Sequence, residues 1–409
     1  MEMRYDLATN FDNELIERVA DFGAVKSIYG KLASDVVGGG RPSIVLPKIS
    51  RKQLRKHIET AHKHQIEFNY LLNASCTGNQ EFISSSHKEF IKLIKQVQED
   101  GADAVTVANP TMLGIVKEQF PDLNISASVY LNINNLSKLK HFENMGANQL
   151  TLHYSLNRDF ELLENALKIA NPETELRLIA NNVCLHNCPY GIPGHSNLLS
   201  HSSQSKDKTK GFVIDIYTIM CSLQKIKNPA EFLMAEWIRP EDVHRYEELC
   251  NKAGNSNLVL KLTDRAKTTD WLVNVVKAYA KKSYDGNLLD IINYIGNKGG
   301  YAQIHKLPMV IGALTGKAKP SGLLKLEKAT FLPEVYIDNK SLNGFLDPFI
   351  KNPCKDKTCY TKDKPYGECR HCYNLAEKLI KIDENKIREA IDFAEDLVHS
   401  INSGRMFGK

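Results

Sequence analysis

Asp12-Asn13-Glu14-Leu15-Ile16-Glu17-Arg18-Val19-Ala20 places Leu15, Ile16 and Val19 on one stripe at i, i+1 and i+4, the pattern of a helix lying on a sheet. On either side stand short, mostly apolar runs at 5–9 and 26–29, as expected of strands covered by helices on both faces. Strand, helix, strand is the unit, and it repeats. Candidate strands follow at 68–73, 104–108, 125–128, 149–153 and 176–181, separated by helical patterns at 51–64, 88–99, 136–145 and 158–170. Runs at 232–237 and 258–263 flank the helical stretch 240–252, which makes nine candidates for eight barrel places. Gly23, Gly101 and Gly146 each stand where a helix should stop before the next strand. No Gly-rich dinucleotide fingerprint follows the first strand, which argues against an open sheet. The expected fold is therefore α/β, a TIM-type (β/α)₈ barrel over residues 1–295.

From about residue 300 the pattern changes to Gly/Pro/Lys-rich short strands such as 329–337, then a cysteine-rich stretch and a helical tail from Asn374. Residues 296–409 are predicted to form an appended cysteine-rich C-terminal domain. Lys306, Lys317, Lys319, Lys325 and Lys328, with Lys355, Lys357, Lys362 and Lys364, make either a solvated surface or a face that steers a phosphate-rich partner.

The composition bounds the answer further. With 409 residues, 42% apolar and 25% charged, the chain is globular rather than disordered, collagen-like or a disulfide scaffold. A net charge of +5, from 53 basic and 48 acidic residues, is too mild to declare a nucleic-acid partner. No run approaches the roughly 18–20 apolar residues of a membrane span, and the first residues lack a secretory pattern. The expectation is a cytoplasmic protein without membrane contact, whose thiols stay reduced and whose clustered cysteines bind metal or do redox chemistry.

Nine cysteines then carry most of the information. Cys184-Leu185-His186-Asn187-Cys188-Pro189 follows the candidate strand 176–181, at the barrel end where catalytic groups collect. Two thiolates at this spacing suit one iron–sulfur cluster or one metal ion. Cys221 lies on the next stretch and Cys76 follows another strand, so four thiolates can meet over the barrel mouth; the alternative is that Cys76 and Cys221 are small buried hydrophobes. Cys250, on a helical pattern, reads as core. Cys354, Cys359, Cys369 and Cys372 form a second group within 19 residues, suited to tetrathiolate zinc or to a second [4Fe–4S] cluster. C-x3-C also opens the radical S-adenosylmethionine signature, but its third position holds Gly191 and the motif follows a late strand rather than the first.

Taken together, Asn182–Tyr190, His195 and Asn197, Trp237-Ile238-Arg239-Pro240-Glu241-Asp242, Leu260–Arg265 and Gly367–Tyr373 resemble peptidase family U32. This chain has Gly191 where that family's pattern often has arginine. The resemblance implies a barrel carrying an oxygen-sensitive [4Fe–4S] cluster on cysteines. It also implies oxygen-independent hydroxylation of quinone precursors or RNA bases, although other members are named collagenase-like peptidases. On this reading Cys76, Cys184, Cys188 and Cys221 hold the cluster, and His153, His195 and Arg265 surround the reacting group. His153 and His195 are candidate acid–base groups, and Arg265 with Asp264 is either an ion pair or an anion clamp. Asn181 and Asn182 either orient ligands or turn the chain. His201 reads as a surface residue of a polar loop.

The leading expectation is an iron–sulfur enzyme doing redox chemistry on an unidentified small molecule, modified peptide or RNA, with an electron donor or a paralogous chain as partner. The alternatives are a metal-dependent peptidase or hydrolase, a radical enzyme, and a non-catalytic cluster scaffold. There is no H-E-x-x-H, and Gly194-His195-Ser196-Asn197-Leu198 lacks the second glycine of a nucleophile elbow.

Overall fold

The computed structural model describes residues 2–206, 213, 215–297, 332–351, 354 and 369–405. Eight parallel strands close into a barrel in chain order: β1 (Arg4–Ala8), β2 (Val25–Gly30), β3 (Glu67–Leu72), β4 (Ala104–Val107), β5 (Asn124–Ala127), β6 (Gln149–Thr151), β7 (Glu175–Ile179) and β8 (Leu258–Leu262). Closure comes from β8 pairing β1, with Arg4 opposite Val259 and Leu7 opposite Leu262. The helices α1 (Asn13–Ala20), α2 (Arg51–Lys63), α3 (Ser84–Glu99), α4 (Pro110–Gln119), α5 (Leu136–Asn144) and α6 (Phe160–Ile169) alternate with the first seven strands. The chain between β7 and β8 carries α7 (Asn197–Ser202), α8 (Ile216–Lys227), α9 (Ala230–Met234) and α10 (Val243–Ala253), and α11 (Thr269–Ala280) follows β8. Gly23, Gly101 and Gly146 stop their helices in the left-handed region, as expected.

One expected strand is a helix. Residues 232–237 begin inside α9, and β7 pairs β8 directly, so the barrel holds no ninth place. The cause is burial on every side: Ala230 through Met234 are all buried, and a short all-apolar run has no period to separate strand from helix. Trp237 turns back to donate its Nε1–H to the Phe232 carbonyl at 2.8 Å.

The strands divide their residues between two environments. Tyr5, Leu7, Ile28, Phe68, Leu72, Val105, Leu150, Leu178 and Leu260 face the helices and form one continuous apolar core. The alternate residues point into the lumen, which is polar. Asp6 accepts from Ser27 Oγ at 2.8 Å, from Arg177 Nη1 at 3.2 Å and from Lys261. Arg177 also pairs with Glu175, and Thr106 donates to Asn69 Oδ1 at 2.8 Å. Burial alone would raise the Asp6 carboxyl, yet Lys261 and Arg177 hold it below its ordinary value. Burial pulls the Lys261 ammonium down to about 8 against the opposing attraction of Asp6.

The described C-terminal residues lie on this barrel. Val335, Ile337, Leu342, Phe345 and Phe349 belong to the same apolar cluster as the strands. Phe345 stacks on Trp237 at 5.1 Å, and the Arg158 guanidinium sits 4.7 Å from the Trp237 ring. β9 (Val335–Ile337) pairs antiparallel with β10 (Ile380–Ile382). Asn287 clips β9 to the barrel by donating to Val335 O and accepting from Ile337 N. The lysines of 306–328 and 355–364 fall outside the described residues. No helix among the described residues is long and apolar enough to cross a membrane.

His57, on α2, ties that helix to the end of β1. The Thr9 hydroxyl accepts from Phe11 N–H at 3.1 Å, so it donates to His57 Nε2 at 2.7 Å, while His57 Nδ1–H donates to Asn13 Oδ1 at 2.7 Å. Both ring nitrogens are satisfied by the neutral imidazole, and burial lowers its pKa to about 4. An unfolded histidine takes up a proton near pH 6.5 and this one does not, so stability falls as pH drops from about 6.5 to 4. We expect His57→Gln to remove about 3 kcal/mol of that acid dependence, measured as the difference in urea unfolding free energy between pH 7 and pH 4. An unchanged dependence would refute the assignment.

Candidate active site at the barrel mouth

Loops at the C-terminal ends of the strands build the site. After β2 the chain runs Asp35-Val36-Val37-Gly38-Gly39-Gly40-Arg41. Asp35 anchors it: Oδ1 accepts from Val37 N and Gly38 N, while Oδ2 accepts from Tyr70 Oη at 2.9 Å and lies 2.9 Å from Lys31 Nζ. Gly38 has φ +89°, and a Cβ there would stand 2.4 Å from the Ser200 carbonyl. A Cβ on Gly40 would stand 2.8 Å from Tyr130 Oη. Only glycine lets this loop pass so close to its neighbours, and its path delivers Arg41 to the mouth.

After β7, Asn181 stitches the loop to the end of β8, accepting from Thr263 N at 2.7 Å and Thr263 Oγ1 at 3.0 Å. Asn182 Oδ1 accepts from Cys184 N at 3.1 Å, and Asn187 adopts φ +48° between the two cysteines. Asp215 caps α8, accepting from Thr218 N at 3.0 Å, and α8 carries Cys221. His195 reaches the same cap, its Nε2 2.9 Å from Asp215 Oδ2. Burial alone would raise the Asp215 carboxyl, but His195 and Thr218 hold it down.

These loops enclose a cavity of about 540 Å³ whose wall includes Cys184, Cys188, Cys221, His153, His195 and Arg265. Three of the four cysteines expected to converge thus share one wall. Cys76 does not line it: its carbonyl accepts from Gln204 Nε2 at 3.1 Å, and the neighbouring Ser75 bonds Asn197 on α7. Cys250 is buried in the core, as its helical pattern indicated. Burial pushes the Cys184 thiol up to about 12, with Lys225 opposing, and also raises Cys188. Lys225 Nζ lies 3.5 Å from Cys221 Sγ.

His153 stacks against Tyr154 with ring centres 4.1 Å apart, and its Nδ1 is engaged by Ser155 Oγ at 2.7 Å. Burial lowers its pKa to about 4, so at neutral pH it is an uncharged imidazole with Nε2 available. Burial, with the neighbouring Cys184 and Cys188, raises the Tyr154 hydroxyl well above its ordinary value. Arg265 is 4% exposed, and burial together with nearby Arg41 brings its guanidinium down to about 10. His201 is exposed and bonds Gln204.

Sequence reasoning passed over three cationic wall residues, Arg41, Lys225 and Lys261. For Arg41 the three consecutive glycines in a strand-to-helix loop were an available signal; Lys225 and Lys261 carried none.

A second, much smaller pocket of about 30 Å³ is lined by Cys354, Cys369 and Cys372 together with His186, Glu236 and Arg158. His186 Nδ1 is 3.0 Å from Glu236 Oε1. Cys359 lies outside the described residues. Among the described residues, no three His, Cys, Asp or Glu side chains converge on one point as they would around a single metal ion.

The sequence pattern of peptidase family U32 matches residues 43–171, from the loop after β2 through α6. Over that stretch the chain is similar to family U32. An uncharacterized protease of Methanocaldococcus jannaschii is 24% identical over 348 residues, covering 85% of this chain and 87% of that protein. The tRNA hydroxylation protein P of Escherichia coli is 26% identical over 173 residues, 40% of this chain and 36% of that protein, so this second match is partial. A U32 peptidase of known structure is 19% identical and covers 64% of this chain and 93% of its own, with a TM-score of 0.46. The match takes in β3–β6, with Cys76 and His153, and ends before the three cysteines of the cavity wall.

Proposed function

We propose that this chain is an iron–sulfur-dependent barrel enzyme performing redox chemistry such as oxygen-independent hydroxylation, with Cys184, Cys188 and Cys221 holding the cluster. The observation that carries the reading is the common wall: three thiols from two segments border the large cavity at the catalytic end of the barrel. The donor set fits. Thiols are the ligands such clusters take, and ligands bound to different irons stand further apart than those around one ion. A cluster held by these three cysteines would supply one-electron chemistry at the barrel mouth.

The chain's own residues define the rest. His153, neutral with Nδ1 accepting from the Ser155 backbone N–H at 3.3 Å, keeps its proton on Nε2 and offers that N–H as a donor on the cavity wall. Tyr154 stands beside Cys184 on the same cavity wall. The cavity volume suits a small molecule or a single extruded base. Hydroxylation with water as oxygen source releases two protons and two electrons, so the reading requires an electron acceptor as partner. The partial likeness to a tRNA hydroxylation protein supports this choice over hydrolysis.

Anaerobic purification with iron, zinc and sulfide counted per chain tests it, alongside a visible spectrum before and after air. About four irons and four sulfides are expected for one cluster, and about eight of each if the C-terminal cysteines hold a second. Four irons with one zinc would make the C-terminal group a zinc site. Zinc alone would overturn the reading in favour of a metal-dependent hydrolase.

A further inference from the structure

Lys225 is a buried ammonium without a carboxylate. The residue is 2% exposed, and among the described residues it makes no ion pair with Asp or Glu. Two other cations of the cavity wall show the contrast: Lys261 pairs with Asp6, and Arg41 Nε lies 4.0 Å from Asp264 Oδ1. What Lys225 meets is sulfur. Its Nζ donates to Cys221 Sγ at 3.5 Å. The two residues stand one turn apart on α8, and a helical side chain leans back toward the N-terminus, which brings Lys225 over Cys221.

The Cys221 thiol in turn donates to Thr218 O at 3.4 Å, so the ammonium lies on a lone-pair side of the sulfur. Lys225 also faces the other two thiols of the wall. Burial raises both Cys184 and Cys188, and Lys225 is a charge that pulls each of them back. A desolvated ammonium is costly unless a negative group answers it. A neutral thiol answers it weakly and a thiolate does so in full. Iron takes cysteine as the thiolate, so loading the wall with a cluster supplies the negative charge that this cation lacks.

We propose that Lys225 sets the reduction potential of the cluster, as its counter-charge and as hydrogen-bond donor to the Cys221 ligand. The inference rests on the cluster reading above and adds the residue that poises the group. Net charge and hydrogen bonds to the sulfurs are two of the levers on such potentials. Each electron that enters adds one negative charge at the mouth, and a fixed ammonium beside a ligand sulfur favours that reduced state. Lys225 therefore makes the centre a better acceptor for electrons released by oxidation of a substrate, which then pass to the partner that accepts them.

The test is a redox titration of the full chain, purified without oxygen and followed by electron paramagnetic resonance of the reduced state, with iron counted on the same samples. Lys225→Met removes the charge and keeps much of the buried volume. It is expected to keep its iron and to be harder to reduce. Its equilibrium constant for one-electron reduction should fall about tenfold, which lowers the midpoint by about 59 mV. Lys225→Arg keeps charge and donor and should stay close to wild type. Lys227→Met removes the same charge two residues on, at an exposed site paired with Glu395, and should leave the midpoint where it was. A wild-type midpoint in Lys225→Met, or an equal fall in Lys227→Met, would overturn the proposal. If Lys225→Met comes without iron, the arginine variant decides: iron and midpoint restored support the charge, and iron lost again overturns it. Wild-type protein without iron sinks the cluster reading and this inference together, whereas full iron with an unmoved midpoint sinks the inference alone.

Discussion

Cys184→Ser should remove the proposed cluster while leaving the barrel standing. Iron is expected to fall by about four per chain and the broad visible absorbance to vanish, because a serine hydroxyl is too hard and too weakly acidic to replace a thiolate on iron. The site explains why this cysteine is the sensitive one. Of the three on the wall, its thiol is the one that burial raises most strongly, and Lys225, Cys188 and Cys221 share its wall. The substitution changes one atom in a loop pinned by Asn181 and Asn182, so far-ultraviolet dichroism and the urea midpoint should move little. A variant that folds and keeps its full iron would refute the ligand assignment. Cys76→Ser is the informative companion, since Cys76 stands off the wall and its loss should leave the iron count unchanged.

The second large effect belongs to the lumen. Asp6→Asn keeps the shape and the acceptor for Ser27 but leaves Lys261 and Arg177 without the carboxylate that both share. Removing one partner of a buried ion group costs about 3–5 kcal/mol, because the remaining charges stay desolvated. We expect a loss of that size in urea unfolding, and partial recovery in the double variant Asp6→Asn/Lys261→Met, which takes away the stranded ammonium as well. A loss below about 1 kcal/mol, the range of exposed pairs, would show that the lumen is hydrated and the network dispensable.

Much of this architecture is legible in the chain. The alternation of short apolar runs with stripes such as Leu15, Ile16 and Val19 gives all eight strands to within two residues. The run at 232–237 misleads because burial on all sides erases periodicity, and α9 occupies it instead. The lumen network is invisible beforehand. Asp6, Arg177 and Lys261 are far apart in sequence, on three largely apolar strands, and only closure of the barrel brings them together.

The site divides the same way. Spacing within one loop announces Cys184 and Cys188, and the strand-end rule correctly places His153 and Arg265 at the mouth. The same rule sends Cys76 to the right end of the barrel but cannot say that Gln204 and Asn197 draw its loop aside. Arg41 depends on a loop path that three glycines permit, a feature of close packing rather than of pattern.

Lys261 belongs at once to the ion network of the lumen and to the wall of the cavity. In many barrels a packed plug of aliphatic layers separates the residues that hold the fold from those that meet the substrate. Here the same ammonium serves both, so the floor cannot be varied freely. A lineage seeking a new substrate would have to work through the rim, at Arg41 and the loops after β6 and β7, because each change at the floor would be screened first for survival of the barrel. Diversity among relatives that share this lumen should therefore concentrate at the mouth.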